Sequence, residues 1–190
     1  LDNKMGKAYY YRGLANAKMG NLSDASAGFN ESAKIGYKPH ESYFNAGLAL
    51  LQLKKTAEAR KALENCLKAD NKGSKATDAR INLGALELMN SNFDKAIQFY
   101  SELLKTDNKN TDALYNRAYA YGSLKKYNEA IDDLTKCIGL GHETGDIYYL
   151  RAVYYISSND YTKGCNDAQK AANLGHNEAK NLQKAYCNNN

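Results

Sequence analysis

The chain has 190 residues, 43% of them hydrophobic, and a formal net charge of +5 made by Lys and Arg scattered among Asp and Glu. That is apolar material for one ordinary domain and argues against a disordered chain; no run of like charges is long enough to read as a nucleic-acid arm. No apolar run reaches the ~18 residues a membrane span needs and no secretory leader is visible, so the chain reads as soluble, cytoplasmic or exported with its signal segment removed. It opens at Leu1 rather than Met, which leaves open an exported precursor or a longer protein of which this is one part. The hydrophobic share holds 16 Tyr against 4 Phe and no Trp. A ring with a polar handle suits a half-exposed binding surface as well as a core.

After a short polar start, Ala8 to Met19 reads as a helix, Gly20 and Asn21 as a turn, and a second helix follows with Ser23 as its N-cap and Gly36 past its end. This pattern, begun at Gly6, starts again at His40, Thr77, Thr111 and Gly145. The five copies carry Gly13, Gly47, Gly84, Ala118 and Ala152 at one small-residue position and Ala25, Ala59, Ala96, Ala130 and Gly164 at another. Two antiparallel helices approach closely only where neither carries bulk at the crossing. A larger apolar position holds Phe29, Leu63, Tyr100 and Leu134, with Ala168 in the last copy. Asp94, Asn128 and Thr162 stand where Ser23 does and read as N-caps, with Thr56 the substitute in the second copy. Extra residues in Asn71 to Lys75 predict a longer, mobile turn between copies two and three. Beyond Asn177, Ala179, Leu182, Ala185 and Tyr186 outline one amphipathic helix. Self-similarity at a near-constant period of this size argues for a solenoid of stacked units.

The residues at these positions resemble the tetratricopeptide repeat. The resemblance implies an all-α fold, a right-handed superhelical solenoid of five helix-turn-helix units at about 6–39, 40–76, 77–110, 111–144 and 145–176. A capping helix at about 177–187 completes a single domain over 1–190. In this family the first helices line a concave groove, and the resemblance places Tyr10, Phe44, Ile81, Tyr115, Tyr119 and Tyr149 on its wall, edged by Glu41, Asp78, Asp112 and Asp146. Leu14, Leu48 and Val153 pack equally well between first helices, and the acids also suit the first turn of a helix, where the macrodipole favours negative charge. The family's clamp for a C-terminal carboxylate is absent, since Tyr10, Leu14 and Asp78 stand where its Lys and Asn would be. The expected function is a non-catalytic protein-protein interaction module, a scaffold or adaptor that holds a basic or neutral peptide segment or partner protein. A helical-repeat RNA binder, a self-assembling module and the regulatory part of a longer enzyme are the alternatives; acidic and aromatic groove positions weigh against nucleic acid.

No phosphate loop, zinc motif or nucleophile-base pair is present, so no catalytic residue, metal or cofactor is expected. His40, His142 and His176 fall at repeat boundaries and read as exposed turn residues. Cys66 and Cys137 sit at a small core position and read as buried, inert thiols. Cys165 and Cys187 fall at similar height on adjacent antiparallel helices. They can close a disulfide, which would imply an oxidising compartment, or remain two free thiols. Arg117 and Arg151 stand at a normally apolar position, with Asp133 and Asp167 on facing second helices, and read as structural ion pairs within a repeat or across to the next. Arg12 has Gly28 at the matching position.

Overall fold

The computed structural model describes residues 3–187, and among them the chain is eleven α-helices with no strand. In order these are α1 (Asn3–Lys18), α2 (Leu22–Ile35), α3 (Pro39–Gln52), α4 (Thr56–Ala69), α5 (Ser74–Met89), α6 (Phe93–Thr106), α7 (Thr111–Ser123), α8 (Tyr127–Gly139), α9 (Gly145–Ser157), α10 (Tyr161–Asn173) and α11 (Asn177–Tyr186). Packing divides the chain into two compact units, one ending at Leu86 and the other beginning at Glu87, inside α5. In the first unit α1 packs on α2, α2 on α3 and α3 on α4; in the second, α6 to α11 pack each on the next. Such nearest-neighbour packing is how a helical solenoid is built.

The small residues set the helix crossings. A Cβ added to Gly13 would stand 2.8 Å from the Phe29 ring, and one on Gly28 3.3 Å from Gly13 Cα. Gly47 faces Leu63 at 2.8 Å in the same sense. Ala25, Ala59, Ala96, Ala118, Ala130 and Ala152 are all fully buried. Around these crossings lie Phe29, Leu63, Tyr100 and Leu134, each at most 2% exposed.

Every turn from first to second helix is made the same way. One residue takes a left-handed φ: Gly20 at 80°, Lys54 at 58°, Ser91 at 58°, Lys125 at 60° and Asn159 at 66°. The next amide then donates back to a carbonyl in the last turn: Asn21 to Asn16, Lys55 to Leu50, Asn92 to Glu87, Lys126 to Tyr121 and Asp160 to Tyr155. This closure satisfies carbonyls that a helix end leaves free. It also corrects the N-caps read from the sequence. The second helices begin directly after the closing residue, so Ser23, Thr56, Asp94, Asn128 and Thr162 lie inside the first turn. The flanking residues are Asn21, Lys55, Asn92, Lys126 and Asp160, and of these Asp160 alone accepts from a backbone amide with its side chain, from Lys163 N at 3.1 Å.

The insertion after Asp70 is a second correction. It spends its residues on a helical turn, because α5 starts at Ser74, ahead of Thr77. The remaining loop is tied down by the Asp70 carboxylate, which accepts from Lys72 N at 2.9 Å and Gly73 N at 3.3 Å. Those two bonds hold the Asp70 carboxyl below its ordinary value.

Glycine-to-alanine exchange separates the two roles of helical glycine. Gly139→Ala, with nothing within 4 Å of the new methyl, stabilises the fold by about 0.5–1 kcal/mol from backbone entropy. Gly47→Ala drives its methyl into Leu63 and destabilises it, by about 1–3 kcal/mol for such overpacking. Urea titration of the two variants checks the opposite signs.

Candidate partner-binding face

In the second unit, α7 and α9 place a group of tyrosines side by side. Tyr154 is 6% exposed and lies across Gly122, where any side chain would overlap its ring. Tyr127 stacks on Tyr154 with centroids 6.0 Å apart. Burial, with the neighbouring phenols of Tyr115, Tyr119 and Tyr127, pushes the Tyr154 hydroxyl well above its ordinary value. Tyr115 is raised too, first by burial and then by Asp146 and Tyr119. Tyr119 stands 46% exposed at the edge of the group. The two carboxylates of this face, Asp112 and Asp146, are exposed.

Next to them Tyr149 stacks on His176, with centroids 4.1 Å apart and planes 17° from parallel. His176 Nε2 lies 3.5 Å from Asp146 Oδ1 and its Nδ1 lies 3.4 Å from Glu178 Oε2. With a side chain only 13% exposed, His176 belongs to this face and is not the exposed turn residue read from the sequence. His142 is exposed, 3.4 Å from Thr111 Oγ1.

The first unit corrects the expected aromatic wall. Tyr10 and Phe44 are 9% and 5% exposed. Tyr10 packs edge-on against Phe29 and Tyr37, and its hydroxyl donates to Glu41 at 3.4 Å. Lys75 Nζ lies 4.7 Å over the Phe44 ring. Neither ring offers much area to a partner. The acids here are also paired, Glu41 with Lys38 at 3.1 Å and Asp78 with Lys75 at 3.3 Å. Ile81 is half-buried on α5. Two members of the face were not singled out from the sequence, Tyr154 and His176; the signal for Tyr154 was Gly122, a gap on the neighbouring first helix that only a large ring fills.

Two ion pairs support this unit. Arg117 Nε donates to Asp133 Oδ2 at 2.7 Å and Nη2 to Asp133 Oδ1 at 2.8 Å, while Nη1 donates to Ser101 Oγ at 2.9 Å. Arg151 repeats the geometry on Asp167, at 2.6 and 2.9 Å, with Thr135 Oγ1 at 3.0 Å. Each arginine thus binds the carboxylate of its own repeat and a hydroxyl of the preceding one. Burial works against both guanidinium charges, yet the hydrogen bonds and field of Asp133 and Asp167 carry them above the ordinary value. Arg12 instead lies over the Tyr9 ring, 4.8 Å from its centroid.

Cys165 and Cys187 form a disulfide with Cα atoms 5.7 Å apart, joining α10 to the end of α11. Cys66 and Cys137 are buried free thiols, each directed at a backbone carbonyl, Lys75 O at 3.9 Å and Thr111 O at 3.6 Å. Burial pushes both thiols up to about 11. Among the described residues no group of three or more His, Cys, Asp or Glu could hold a metal ion, and no helix is long and apolar enough to cross a membrane.

Comparisons with known proteins address the fold. Models described as tetratricopeptide repeat match residues 44–113 and 111–142. No curated protein matches in sequence. Among solved structures, a MamA protein superimposes with TM-score 0.82 at 17% identity, covering 94% of this chain and 96% of its own. MamA from Desulfovibrio magneticus RS-1 gives 0.77 at 18% identity, covering 90% and 94%. YrrB, described as a TPR protein with an unusual peptide-binding site, gives 0.80 at 16% identity, covering 93% and 90%.

Asp133→Ala leaves the Arg117 cation without its buried partner and costs about 3–5 kcal/mol, of which a joint Arg117→Met, Asp133→Leu replacement restores most; urea denaturation of the two variants reads the difference. Thiol titration near neutral pH finds no reactive cysteine in the folded chain, two on unfolding and all four after reduction. Because the folded thiols titrate near 11 and unfolded ones near 9, their contribution to stability is complete below pH 9 and is lost as pH rises toward 11.

Proposed function

Because the chain belongs to the tetratricopeptide repeat family, we propose that it is a non-catalytic interaction module whose tyrosine face on α7 and α9 holds a peptide segment of a partner protein. The observation that carries this reading is the joint presence of Tyr115, Tyr119 and Tyr149 beside the exposed carboxylates of Asp112 and Asp146. Large, rigid aromatic rings that bind with little loss of side-chain entropy dominate the energetics of protein interfaces. The neighbouring acids select a basic or neutral segment and disfavour an acidic one. In the first unit Tyr10 and Phe44 are buried and Glu41 and Asp78 are paired with lysines, so the affinity is assigned to α7 and α9. The disulfide between Cys165 and Cys187 supports folding in an oxidising compartment.

Affinity capture from a native extract tests the reading, with the wild-type chain run beside Tyr115→Ala/Tyr119→Ala. The expected result is one or more proteins retained by the first and lost by the second, with circular dichroism unchanged. Truncating two interface rings lowers affinity by roughly 2 kcal/mol or more, over tenfold. Equal recovery on both would remove the tyrosine face as the site, and recovery of the chain itself would replace a heterologous partner by self-assembly.

A further inference from the structure

The second unit carries another concavity, built mainly from second helices and unlike the tyrosine face in charge. It is a cleft of about 730 Å³ with Leu104, Leu114 and Leu140 among its walls and Lys105, Lys109 and Lys136 around it. Arg117 and Ser101 also line it, already joined to each other at 2.9 Å. No carboxylate is among the lining residues. Asp133 is 2% exposed and committed to Arg117, with Lys136 at 4.0 Å, and Asp107, between Lys105 and Lys109 in the chain, accepts from Asn110 Nδ2 at 3.0 Å. Lys105 and Lys109 make no ion pair among the described residues.

The following repeat shows what closes such a cleft. Its framework is the same, Arg151 on Asp167 and Thr135. At the place of Leu114, however, stands Tyr148, 3% exposed, and at the place of Lys109 stands Glu143. Tyr148 donates to Glu143 at 2.8 Å, and Lys170, the counterpart of Lys136, lies 5.2 Å over its ring. There the chain fills its own hollow with a ring and pairs its own charges. Leu114, itself 2% exposed, lines a cleft that keeps its volume, and Lys105 and Lys109 beside it are unpaired.

We propose that this cleft is a second binding site, for an acidic peptide segment that carries an apolar side chain. The apolar group takes the volume that Tyr148 fills one repeat later, against Leu104, Leu114 and Leu140. Flanking carboxylates of the segment lie against Lys105, Lys109 and Lys136, and the charge complementarity selects the partner. The volume is that of a concave ligand site with a few placed polar groups. Its charge is the reverse of the tyrosine face, so the two sites take different segments and are independent.

Fluorescence anisotropy with a labelled octapeptide of alternating Leu and Glu, beside its Leu-Lys counterpart, tests the proposal. The wild-type chain is expected to prefer the acidic peptide by about tenfold or more. Leu114→Tyr, which installs the residue this chain uses at the same place one repeat on, lowers acidic-peptide binding by about tenfold. Lys105→Glu/Lys109→Glu, at exposed positions where folding is not at risk, does the same, whereas Tyr115→Ala/Tyr119→Ala leaves it unchanged. Equal affinity for both peptides would overturn the proposal, as would no binding up to about millimolar peptide or binding insensitive to the lysine reversal. Association with phosphatidylserine vesicles in place of the peptide would also overturn it.

Discussion

The structure depends on how closely two helices of a pair can approach. At Gly13 with Gly28, and at Gly47 against Leu63, there is no room for an added methyl, and alanines take the equivalent buried places elsewhere. Close approach lets each short helix bury one face on its partner and another on the following pair, which a helix of 13 to 16 residues cannot do alone in water. The left-handed residue between the helices follows from the same demand. A connection this short must reverse direction and satisfy the last carbonyls at once, and it does so even where the residue is Lys, Ser or Asn.

Once the pairs are set, the rings and charges around them determine what each surface can do. A position occupied by a large ring is closed, and the same position with glycine or leucine is open. Gly122 receives Tyr154 and so draws the tyrosines of α7 and α9 into one group. Leu114 lines a cleft among lysines, whereas Tyr148 in the next repeat is bonded to Glu143. In the first unit Tyr10 turns into the core, and a residue type suited to binding becomes packing. Variation at a few repeat positions thus gives a regular scaffold surfaces of different shape and charge, as expected when function resides in the site and not in the fold.

The helix pairs were legible because their signal is periodic: small residues recur in register, and each recurrence is independent support. The facing of Arg117 to Asp133 was legible for the same reason, since residue types that cannot be buried singly stood opposite each other in two copies. What was not legible depended on details finer than the period. Helix starts were misplaced because Ser23, Asp94, Asn128 and Thr162 are good capping residues, while the true constraint was the left-handed turn before them. The burial of Tyr10 and Phe44 turned on how their rings meet Phe29, Tyr37 and Lys75, contacts that no spacing rule contains. His176 was read as a boundary residue, and only the stacking of Tyr149 upon it shows that the cap helix begins inside the tyrosine face.

Site-specific photocrosslinking tests the central claim, that this face holds a partner, most directly. A benzophenone amino acid at position 119, on the exposed ring of the group, is irradiated in native extract beside the same amino acid at position 98, an exposed position on α6. The account predicts an adduct from position 119, joined to a basic or neutral segment of another protein, and none of that protein from position 98. Adducts formed equally from both positions, or an acidic segment joined at position 119, would contradict it.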